Sequence, residues 1–258
     1  MITLLTTGLL IYTGIVLFAW FFANEMIFQP PPSSYQDSKQ IIKLNSGDVE
    51  ISAIHLSHPQ ARYTILYSHG NAVDLGQLYP ILDEIRAAGF SVFAYDYSGY
   101  GTSSGKPSEE HTYEDINAAY RYLTKQLQIP AHRIIALGQS LGGGVAADLA
   151  SRKLIGGLIL ESTFVTAYRV LISVPLLPFD QFNNLAKLKQ ISCPVLVIHG
   201  RNDSVISFWH GKRLFEMAHQ PKQNFWVEGA GHNNLLDVAG KDYGKTLHAF
   251  MKVVDDFK

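Results

Sequence analysis

Cysteine is nearly absent. Cys193 is the single one in 258 residues, so no disulfide can close within the chain. It precedes Pro194 at a strand start and reads as a small buried apolar side chain. An excess of either charge is missing too. Lys and Arg total 21 against 22 Asp and Glu, a net charge of -1, which removes any electrostatic case for nucleic acid. No metal-ligand spacing such as His-Glu-x-x-His occurs, and no metal or cofactor is expected. The stretch Gly101 to Pro107 is superficially like a phosphate-binding loop. Its spacing to Gly105-Lys106 is wrong, and Pro107 stands where Ser or Thr is required. Internal repeats and low-complexity tracts are also lacking.

Charge is missing altogether from Ile2 to Phe22; the first charged side chain is Glu25. As a helix that run spans roughly 31 Å, close to the hydrocarbon thickness of a bilayer. A cleaved signal peptide is the rival reading, but Met1-Ile2-Thr3 carries no Lys or Arg and Trp20 to Asn24 is a poor cleavage site. We therefore expect a retained single-pass anchor over residues 1–24, with Trp20, Phe21 and Phe22 at the membrane interface. A proline-containing linker follows over 25–39, stiffened by Pro30-Pro31-Pro32. Lys39 and Lys43 are too few and too distant to fix which side of the membrane faces the rest of the chain.

What the remainder does have is regular alternation. Gln40–Leu44 and Val49–Leu56 read as an antiparallel pair around Asn45-Ser46-Gly47-Asp48. Strands are expected at Tyr63–Ser68, Ser91–Tyr95, Ile134–Leu137, Gly157–Leu160, Val195–Ile198 and Asn224–Val227. Helices are expected at Leu75–Ala88, Tyr113–Leu127, Leu141–Arg152, Phe208–Ala218 and Tyr243–Asp256. This pattern predicts one α/β domain over 40–258, with a mostly parallel eight-stranded sheet and helices on both faces. Residues 163–190 fit no regular position and read as a short cap. Its apolar stretch Val170 to Phe179 is either a helix and loop packed on the core or an acyl-binding wall and membrane-facing lip.

One pentapeptide stands out, Gly138-Gln139-Ser140-Leu141-Gly142. It lies between an apolar strand and a run of small residues at helical spacing, the setting of a nucleophile elbow. Serine needs a base, and the base needs an orienting carboxylate. Asp203 follows the strand Pro194 to Ile198, and His232 follows Asn224 to Val227 in Gly229-Ala230-Gly231-His232. The order Ser140, Asp203, His232 is that of the α/β-hydrolase fold. The Leu141 N–H, aimed by the elbow, and the Asn71 N–H, from His69-Gly70-Asn71-Ala72 after the third strand, are the expected oxyanion donors. Each such donor is worth roughly 3 kcal/mol. His69 and His199 read as structural, and the remaining histidines as surface or core residues.

Longer blocks carry a resemblance. Ser68 to Gly76, Tyr95 to Gly101 continuing through Ser104-Gly105-Lys106-Pro107-Ser108-Glu109, and Trp226 to Asn233 resemble the α/β-hydrolase-domain-17 subfamily. These are membrane-associated serine hydrolases that remove palmitoyl groups from proteins. The likeness runs from about Gln29 to the C-terminus and implies Ser140 as nucleophile, Asp203 as acid and His232 as base. The eukaryotic members have a cysteine-rich, lipidated N-terminal segment where this chain has an apolar run without cysteine. The expected function is therefore a membrane-anchored serine hydrolase of acyl esters or thioesters, with acylated or lipid-like substrates and the bilayer as partners. A serine-aminopeptidase-like peptidase is the alternative within enzymes. A catalytically inactive hydrolase fold serving as an interaction module is the alternative outside them.

Overall fold

The computed structural model describes residues 2–171, 174 and 176–257; Ile172, Ser173 and Pro175 of the expected cap lie outside the described residues. The eight strands are β1 (Ile42–Ser46), β2 (Val49–Leu56), β3 (Thr64–Ser68), β4 (Ser91–Tyr95), β5 (Ile134–Gln139), β6 (Gly157–Glu161), β7 (Val195–Gly200) and β8 (Lys222–Val227). They form one sheet in the order β1-β2-β4-β3-β5-β6-β7-β8. The first two pairings, β1 with β2 and β2 with β4, are antiparallel, and the rest are parallel.

Side-chain alternation along the strands divides the core in two. Leu66, Phe93, Ala136, Leu160 and Val197 face one layer with α3 (Glu109–Arg121), α4 (Leu141–Arg152), α5 (Asn184–Leu188) and α6 (Trp209–Met217). Their neighbours Ile65, Val92, Ile135, Ile159 and Leu196 face the other layer with α2 (Leu75–Ala87) and α8 (Lys241–Asp256). Covering on both faces is why these strands read as continuous apolar runs. A further short helix, α7 (Leu235–Ala239), joins β8 to α8.

Some boundaries differ from expectation for identifiable reasons. α3 starts at Glu109 rather than Tyr113 because Ser108 caps it, its hydroxyl accepting the His111 N–H at 3.1 Å. The helix then continues into a π-helical turn over Tyr122–Gln126. Among the described residues of the cap, only a 3-10 turn at Tyr168–Val170 and the short α5 are regular.

The N-terminal helix, α1 (Ile2–Ile27), runs three residues past residue 24, the expected end of the anchor. Its Leu5–Ile27 stretch is long and apolar enough to cross a membrane, with mean hydropathy 1.9. Leu9, Leu10, Ile11, Ile15, Phe21 and Phe22 are exposed along it. One side of α1 touches the cap: Tyr12 Oη donates to the Leu176 carbonyl at 3.0 Å, and Trp20 meets Phe179 edge to face at 5.2 Å. Phe28, the residue after the helix, is buried in the core with its ring 6.0 Å from that of Phe182.

Candidate active site

Ser140 lies between β5 and α4 with φ 52 and ψ -117, a strained conformation for a residue with a side chain. Two glycines permit it. A Cβ on Gly138 would strike the Gly142 carbonyl, and one on Gly142 would strike the Ser68 carbonyl of the neighbouring strand. The sharp turn is pinned on both sides of the serine. The Ser140 N–H donates to the Glu161 carbonyl at 2.9 Å, and the Thr163 hydroxyl donates to the Ser140 carbonyl at 2.6 Å. Leu141 opens α4, so its N–H has no acceptor within the helix.

His232, on the loop after β8, places Nε2 3.1 Å from Ser140 Oγ. Its Nδ1 lies 2.8 Å from Asp203 Oδ2. The carboxylate can only accept, so Nδ1 carries the proton and Nε2 is left to accept from the serine hydroxyl. Asp203 sits on the loop after β7, where its other oxygen accepts the Val205 and Ile206 N–H groups at 2.9 and 2.7 Å. Burial alone would raise this carboxyl. The hydrogen bond and charge of His232 outweigh it, with the Ile206 N–H adding to them, and hold the carboxyl below its usual range. His199, at the end of β7, braces the same loop. Its Nε2 donates to the Ile206 carbonyl at 2.8 Å and lies 3.5 Å from Asp203 Oδ2, and burial lowers its pKa.

The loop after β3 also reaches Ser140. A Cβ at Gly70 would sit 3.4 Å from that of Ser140, so this backbone passes against the nucleophile. The Asn71 side chain is spent elsewhere. Its Nδ2 donates to the Ile27 carbonyl at 2.7 Å. Its Oδ1 accepts from Gln29 N (3.0 Å), Ala72 N (2.9 Å) and Tyr100 Oη (2.7 Å). Only the Asn71 main chain is therefore available toward the serine. His69, beside it, is fully buried, its pKa lowered to about 4 by desolvation.

Three supports escaped sequence reasoning. Thr163 and Glu161 act through the end of β6, and only the pairing of Gln139 with Glu161 in the parallel sheet brings them to Ser140. Glu161 is a second carboxyl near His232. Burial pushes it up to about 6 against the hydrogen bond it accepts from Tyr243 Oη at 2.6 Å. The third is the N-terminal segment at Asn71. No local pattern signals a contact 44 residues away.

A family profile described as serine aminopeptidase, S33, matches residues 59–178. α/β-Hydrolase domain-containing protein 17B of Xenopus laevis is 45% identical over 180 residues, covering 69% of this chain and 62% of that protein. The human 17B protein is 44% identical over the same shares. α/β-Hydrolase domain-containing protein aho-3 of Caenorhabditis elegans is 43% identical over 183 residues, 69% of this chain and 54% of that one. The matched region thus spans less than two thirds of these relatives. Among solved structures, the Pyrococcus furiosus esterase Pf2001 superposes with a TM-score of 0.72 at 20% identity, covering 87% of this chain and 98% of that one. Est1E from Butyrivibrio proteoclasticus, solved with ferulic acid, gives 0.68 at 15% identity, covering 82% and 99%. The sheet order, the elbow and these likenesses together establish that the chain belongs to the α/β-hydrolases and is a homologue of the α/β-hydrolase domain-containing proteins 17.

Proposed function

We propose that the chain is a membrane-anchored serine hydrolase that cleaves acyl esters or thioesters through an acyl-enzyme. The observation that carries this reading is the relay of 3.1 Å from Ser140 Oγ to His232 Nε2 and 2.8 Å from His232 Nδ1 to Asp203 Oδ2. His232 takes the serine proton as Oγ attacks the acyl carbonyl. The Leu141 and Asn71 N–H groups stabilise the oxyanion. The tetrahedral intermediate collapses, and His232 returns the proton to the departing alcohol or thiol. Water then enters, gives a proton to His232 and attacks the acyl-enzyme. Collapse of the second intermediate returns that proton to Ser140 and frees the acid. Asp203 holds the imidazole tautomer throughout and stabilises the imidazolium.

The lipid-like character of the substrate rests on α1 and the cap. The apolar α1 lies against Leu176 and Phe179, and Leu171, Val174 and Leu176 are exposed beside it. An acyl chain leaving the bilayer along α1 would meet this lip. The esterase neighbours and the domain-17 relatives favour ester or thioester chemistry. The name of the matching family profile keeps a peptidase reading alive. The test is to give detergent-solubilised full-length protein a p-nitrophenyl ester, an S-palmitoyl peptide and an aminoacyl p-nitroanilide in parallel. Ester and thioester turnover that disappears in Ser140→Ala supports the proposal. Preference for the anilide sinks it in favour of the peptidase, and no turnover of any of the three favours the interaction module.

A further inference from the structure

Residues 27–35, which sequence reasoning treats as a linker, are tied to the loop after β3 at both of that loop's ends. At the near end, the Asn71 side chain holds the Ile27 carbonyl and the Gln29 N–H. At the far end, Asp74 accepts the Ser34 N–H at 2.6 Å and the Ser34 hydroxyl, while also capping α2. Tyr35 Oη donates to Asp96 Oδ2 at 2.6 Å, and the other oxygen of Asp96 accepts the Leu75 N–H at 3.0 Å. Between these ties the loop is strained: Ala72 has φ +59, and its N–H is held by the same Asn71 oxygen that receives Gln29. A strained conformation persists only where its surroundings over-determine it. Here part of those surroundings comes from the segment directly after α1.

We propose that residues 27–35 are a strap that sets the position of the oxyanion loop, with the Asn71 side chain as the positioning group. This rests on the serine-hydrolase reading above, in which the Asn71 N–H faces the oxyanion. The geometry makes the strap's leverage large. The loop passes close enough that a Cβ on Gly70 would touch Ser140, so a small displacement of Asn71 changes the donor distance to the oxyanion and leaves the Ser140–His232 relay in place. Loosening the strap therefore lowers transition-state stabilisation without lowering ground-state binding.

The test uses full-length protein in detergent micelles and two variants remote from the reacting atoms. Gln29→Pro extends the existing proline run and removes the N–H that Asn71 accepts, while also fixing φ at 29 and restricting the backbone of Phe28, which is why Tm is read beside it. Ser34→Ala combined with Tyr35→Phe releases the far end. For each, kcat and KM on p-nitrophenyl butyrate are measured with the inhibition constant of butylboronic acid, which forms a tetrahedral adduct on serine, and with Tm. The expected result is a fall in kcat of about ten- to a hundredfold with KM within about twofold. Boronate affinity should weaken by the same factor as kcat, and a fluorophosphonate should still label Ser140. Either variant folding at the wild-type Tm with wild-type kcat and boronate affinity overturns the strap, as do losses that follow Tm and KM instead of boronate affinity. A wild-type chain that no fluorophosphonate labels at Ser140 overturns the hydrolase reading itself, and the strap's catalytic role with it.

Discussion

Asp203 shows most clearly how single groups are fixed for their task. Its Oδ1 is occupied by two backbone N–H groups, so an asparagine at this position must turn its NH₂ toward His232. Nδ1 would then have to accept, the imidazole proton would move to Nε2, and His232 could no longer take the serine proton. Asp203→Asn is expected to lower kcat on the order of 10⁴-fold with the fold intact. His232→Ala should cost as much as Ser140→Ala, on the order of 10⁶-fold, because the two act as a unit. Stopped assays on a short-chain ester check both; near-normal turnover of Asp203→Asn would move the acid to another carboxylate, such as Glu161, which also feels the His232 charge. The three site residues are legible in the sequence because each sits at a strand's C-terminal end, and strands announce themselves as apolar runs. Thr163 and Glu161 are not legible, because their contact with Ser140 depends on sheet register.

At the scale of elements, the segment after α1 behaves as part of the domain. Phe28 is buried and packs on Phe182, which also meets Tyr113 and Phe164. Phe28→Ala should destabilise the domain by about 3–5 kcal/mol, read from denaturant unfolding of the detergent-solubilised protein. A loss near zero would return residues 25–39 to the status of a tether. The sequence shows Pro30-Pro31-Pro32 as a linker, but hydrogen bonds from Ser34 and Tyr35 to distant carboxylates leave no periodic trace. Asp96 adds a pH dependence. Burial raises its carboxyl from 3.8 to about 7, against the hydrogen bond from Tyr35. Between those values the folded chain keeps a proton that the unfolded chain has lost, so this group's contribution is full below about 4 and declines as pH rises toward 7. Asp96→Asn removes the titration. Wild-type Tm minus variant Tm should therefore fall between pH 4.5 and pH 8, and a constant difference would contradict the assignment.

At the scale of the molecule, an apolar helix of spanning length is joined without slack to a hydrolase domain. If α1 is a retained anchor, the full-length protein should stay in the membrane pellet through alkaline carbonate extraction; release into the supernatant would exclude it. The eight-stranded sheet was readable from alternation alone, since parallel strands covered on both faces leave long apolar runs. The course of the cap was not, because its described residues make contacts to α1 and α3 that follow no local period, as where the Phe182 N–H donates to Glu109. The proposed activity depends on one nucleophile. The most direct test is to treat the full-length protein with a fluorophosphonate and map the adduct by peptide mass spectrometry. The account predicts a single modification on the peptide carrying Ser140, and none in Ser140→Ala. A modification on another serine, such as Ser103 or Ser104, or no modification of the folded wild-type protein, would contradict it.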